Sequence, residues 1–97
     1  YVVTYNAEAA PDRLADIAIA MGASPTDRSP ANAVDYVLTQ LRSLNQQLNI
    51  PLRLADLGVQ ASDIPYMATN ALQDPCALTN PRQATQADME ALFHQAF

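Results

Sequence analysis

The chain has 97 residues, 49% of them apolar and 15% charged, with a net charge of −5; that suits one globular domain or part of one, not a disordered segment. Its apolar stretches are too short to span a bilayer, which argues against a membrane protein. Its five cations, Arg13, Arg28, Arg42, Arg53 and Arg82, face ten Asp and Glu, so no basic stripe is available to displace counterions from nucleic-acid phosphates.

Tyr1 and Tyr5 stand four apart, one helical turn, with no capping residue before them. This reads as the last turn of a helix whose beginning is missing, in a fragment or processed piece. Pro11 then suits a first helical position, where a missing N–H costs nothing. Leu14, Ile17, Ala18 and Met21 follow the i, i+3, i+4, i+7 spacing of one apolar face, and Gly22 suits a left-handed stop. The spacing predicts a helix over 11–21.

A loop through Ser24, Pro25, Thr26 and Asp27 leads to Ser29-Pro30, an N-cap followed by proline. Val34, Val37, Leu38, Leu41, Leu44 and Leu48 form a continuous stripe along the longest helix. Ile50-Pro51 is expected to stop it, because proline disfavours a helical residue before it. Leu54 to Val59 reads as one short turn closed by Gly58.

Ser62 is a candidate cap for a helix carrying Ile64, Met67, Ala68, Ala71 and Leu72, with Pro65 in its first turn. Asp74-Pro75 should end it and open a loop from Cys76 to Arg82. Thr85 to Asp88 resembles a capping box with Asp in place of Glu, opening a last helix through Met89, Leu92, Phe93 and Ala96. No segment shows strand alternation. The expected class is all-α, four or five helices in a bundle-like array.

Two glycines cannot build a phosphate-cradling loop, a dinucleotide-binding turn or a nucleophile elbow. One His and one Cys fall short of a zinc site. His94 reads as a surface residue near a helix C-terminus, where the dipole favours its cation. Cys76 cannot form an internal disulfide, which points to a reducing, cytoplasmic setting, and it reads as a buried structural thiol. Arg82 is expected to tie its own loop to nearby carbonyls, and Tyr36 and Tyr66 to lie at the core's edge.

The order of these segments resembles the C-terminal end of the iron-containing (group III) alcohol dehydrogenases. The resemblance is carried by Leu48-Asn49-Ile50-Pro51, Leu54-Ala55-Asp56-Leu57-Gly58-Val59 and Asp63-Ile64-Pro65. It continues through Ala71-Leu72-Gln73-Asp74-Pro75-Cys76, Thr79-Asn80-Pro81-Arg82 and the run from Thr85 to Leu92. Tyr5-Asn6 and the run from Ile17 to Gly22 fit the earlier part of the same domain.

The resemblance implies a parent enzyme with an N-terminal domain binding NAD or NADP. A helical C-terminal domain would hold Fe²⁺, or sometimes Zn²⁺, through one Asp and three His, for hydride transfer between a small alcohol or aldehyde and the nicotinamide. Residues 1–97 would be the distal part of that helical domain, with the dinucleotide-binding domain absent. The family's last ligand His precedes the segment matching Tyr1, so this chain supplies no metal ligand and no catalytic residue, and His94 is not a ligand. Cys76 alone matches a position that lines the nicotinamide pocket in some relatives. The chain by itself is then expected to be inactive, to bind no cofactor, and to self-associate through Leu38, Leu41 and Leu44.

The competing reading is a free-standing acidic helical interaction module. An acyl carrier protein is disfavoured because neither Ser29 nor Ser62 lies in the Asp-Ser-Leu setting of the attachment serine.

Overall fold

A computed structural model describes residues 1–24 and 29–97. The described residues are helical, with no strand among them. The helices are α1 (Val2–Asn6), α2 (Pro11–Ala20), α3 (Pro30–Gln47), α4 (Ile64–Gln73), α5 (Pro75–Leu78) and α6 (Gln86–Ala96). Two 3₁₀ turns, Leu54–Leu57 and Ala61–Asp63, lie between α3 and α4. The chain forms two compact units, Val2–Ile50 and Pro51–Phe97, with Tyr1 grouped in the second. The expected loop from Ser24 to Asp27 lies outside the described residues beyond Ser24.

In the first unit α2 packs on α3 through small side chains. Ala15 and Ala18 meet Ala33 and Val37, and Val3, Tyr36 and Leu41 close around them. The buried face of α2 is Leu14, Ala15 and Ala18, whereas Ile17 and Met21 are exposed. At about 100° per residue this face is turned by roughly 60° from the expected one. Alanines on both helices let the backbones approach closely, and a close interface has no room for the side chains of Ile17 and Met21.

Both helices end in the same device. Gly22, at φ 106°, follows α2; its N–H donates to the Ile19 carbonyl at 3.0 Å and the Ala23 N–H to Ala18 at 2.9 Å. Asn49, at φ 53°, does the same after α3, with its N–H reaching Gln46 at 3.2 Å and the Ile50 N–H reaching Asn45 at 2.9 Å. These are Schellman closures. The longest helix therefore stops before Leu48, through a left-handed asparagine, and Pro51 only follows. Pro30 occupies the first helical position as expected, but the Ser29 side chain makes no capping bond.

In the second unit α4 packs on α6, with Ile64 and Ala68 of α4 fully buried and Leu92 of α6 buried. Burying a side chain of Ile64's size contributes about 1.5–3 kcal/mol. The expected apolar faces of α4 and α6 are the ones turned inward. Gly58, at φ 86°, closes the first 3₁₀ turn, with the Val59 N–H bonded to Leu54 at 3.2 Å. Ser62 is not the cap of α4. Asp63 organises that entry instead, its carboxylate accepting the Gln60 N–H at 2.9 Å.

Two corrections concern α4 and the segment after it. Pro75–Leu78 is a short helix, not the start of a loop, which brings the described α-helices to six against the expected four or five. Tyr66 is 71% exposed and not at the core's edge, because it sits off the face that Ile64 and Ala68 bury.

Candidate functional site

The candidate site is the turn that carries Cys76. Asp74 leaves α4 in an extended conformation, φ −66° and ψ 131°. Pro75 then starts a new helix, having no N–H to leave unpaired. The Asp74 carboxylate accepts the Cys76 N–H at 2.7 Å, an N-cap. At the other end, the Thr79 hydroxyl donates to the Cys76 carbonyl at 3.1 Å. The Gln83 side-chain amide donates to the carbonyls of Leu78, at 3.5 Å, and Asn80, at 3.3 Å. The Asn80 amide donates to the Arg82 carbonyl. Gln83 thus ties this loop together through carbonyls, and Arg82 beside it is half-buried.

Cys76 is exposed, contrary to the expectation of a buried thiol. A helix of four residues is too short to bury a whole face, and Ala77 is the one of the four that is half-buried. The Asp74 carboxylate lies beside the thiol, hydrogen-bonding it and repelling a thiolate, and both effects push the Cys76 pKa up. In turn the backbone N–H and thiol of Cys76 hold Asp74 below the usual carboxylate range. The turn therefore does not lower the Cys76 pKa as the setting of an activated thiolate would.

The other singled-out residues do not join this turn into a catalytic group. His94 is exposed in the last turn of α6. Glu90, one turn before it, instead accepts the Gln86 side-chain amide at 2.8 Å. Gln86 also donates to the Pro65 carbonyl at 3.0 Å, and the Thr69 hydroxyl lies 3.3 Å from its amide oxygen. That clamp ties α6 to α4, and no sequence feature singled it out. Among the described residues no group of three or more His, Cys, Asp and Glu is placed to hold a metal. The described residues do not fit an iron site.

In the first unit a shallow, half-open recess of about 180 Å³ is lined by Gly22, Ala23, Ser24, Asn32, Ala33 and Tyr36. Tyr36 is half-buried at the edge of the α2–α3 core, as expected, and its hydroxyl donates to the Met21 carbonyl at 3.2 Å.

The family profile described as "Fe-containing alcohol dehydrogenase family, C-terminal" matches residues 1–97. The chain belongs to this iron-containing alcohol dehydrogenase family. It is 40% identical over its full length to a 1,3-propanediol dehydrogenase of Klebsiella pneumoniae, covering 25% of that protein. It is 37% identical, again over its full length and 25% of the relative, to a lactaldehyde reductase of Escherichia coli strain K12. A crystal structure of a 1,3-propanediol oxidoreductase superposes with a TM-score of 0.89 at 41% identity, over 99% of this chain and 25% of that one. The chain thus spans about a quarter of the length of these relatives. The match leaves the carrier-protein and interaction-module readings with no observation in their favour.

Proposed function

We propose that the chain is the C-terminal quarter of an NAD(P)-dependent, iron-containing alcohol dehydrogenase. The parent enzyme interconverts small primary alcohols and their aldehydes in the cytoplasm. The observation that carries this reading is the family match over residues 1–97. Relatives named for 1,3-propanediol, lactaldehyde and methanol support a small oxygenated substrate, and the NAD in the name of the Bacillus methanolicus methanol dehydrogenase supports a nicotinamide.

In this reading the metal and the dinucleotide are held by the remaining three quarters of the enzyme. What this chain contributes is a helical wall. Its exposed Cys76, set on a capped turn, lines the nicotinamide side of the cleft without taking part in bond-making. The full-length enzyme is expected to reduce NAD⁺ or NADP⁺ with 1,3-propanediol, to lose that activity on chelation and to regain it with Fe²⁺ or Zn²⁺. The isolated chain should show none. A full-length protein that turns over none of the three alcohols or aldehydes named above, with either metal and either nucleotide, would sink the proposal.

A further inference from the structure

We draw no further inference here: the strongest candidate, the shallow recess between the end of α2 and the start of α3 beside Tyr36, carries nothing, since no buried side-chain polar atom among the described residues lacks a partner that a ligand could supply.

Discussion

Asp74 does two things with one carboxylate: it caps α5 and it pushes the pKa of the neighbouring thiol up. The two roles can be separated. Asn is as good an N-cap as Asp but carries no charge, so Asp74→Asn should leave the helical circular dichroism unchanged. It should also shift the pH profile of Cys76 alkylation to lower pH, with faster alkylation near neutrality. An unchanged profile would mean that Asp74 does not govern the thiol. Asp74 and Asp56 also share a pH dependence. Both are held below the ordinary carboxylate value of 3.8, Asp74 by Cys76 and Asp56 chiefly by its hydrogen bond with Arg53. A carboxylate depressed on folding stabilises the fold above its unfolded-state pKa, and that contribution disappears as pH falls through the lower folded value. Chemical-denaturation midpoints should therefore be flat between about pH 5 and pH 7 and fall below about pH 4, and Asp74→Asn together with Asp56→Asn should flatten that fall. In the sequence, Asp-Pro-Cys was legible only as a helix stop. Proline at a first helical position and Asp before it are equally a helix start, and only the backbone geometry shows that both happen at one residue.

At the scale of elements, the ends were easier to read than the faces. Gly22 and Gly58 were identifiable as stops because a left-handed residue without a Cβ is the usual closure, and both adopt positive φ. They are not equivalent. A Cβ at Gly58 meets nothing within 4 Å, whereas one at Gly22 lies 3.3 Å from the Tyr36 hydroxyl. Gly58→Ala should cost about 1 kcal/mol from backbone strain alone. Gly22→Ala should cost more, and Tyr36→Phe in the same chain should recover part of the difference. Equal losses in the two single variants, read from thermal melts, would contradict the close approach. The box at α6 was equally legible: the Thr85 hydroxyl accepts the Asp88 N–H at 3.2 Å, and the Asp88 carboxylate accepts the Thr85 N–H at 2.9 Å. Thr85→Ala should lower stability by about 1 kcal/mol, and hydrogen exchange should quicken in the first turn of α6. No change in exchange there would show that the box is not what holds the turn. The face of α2 was misread because periodicity weights Ile and Met above Ala, while close helix packing reverses that order. The early stop of α3 was missed because Asn49 in a left-handed conformation is a weaker sequence signal than Gly.

For the whole molecule, the class and family were legible because they rest on many segments in order, so errors in single faces or caps do not overturn them. The chemistry was legible chiefly as absence: two glycines, one His and one Cys. Surface character was only partly readable. Of the three leucines expected to be uncovered on α3, Leu38 and Leu41 are half-buried, Leu41 packing on the α2–α3 core. The exposed part of the stripe lies further on, with Leu44 at 49% and Leu48 at 61%. A helical stripe that starts in a core and runs out into solvent is where an isolated piece associates with other copies. Leu44 and Leu48 are one turn apart and can be changed without touching Ala33 or Val37, which carry the core. The isolated chain should therefore bind an apolar dye and sediment faster as its concentration rises. Leu44→Gln with Leu48→Gln should reduce both effects while the melting curve stays in place. A wild-type chain that sediments as a monomer at every concentration and binds no dye would remove Leu44 and Leu48 as an association surface, leaving the family assignment untouched.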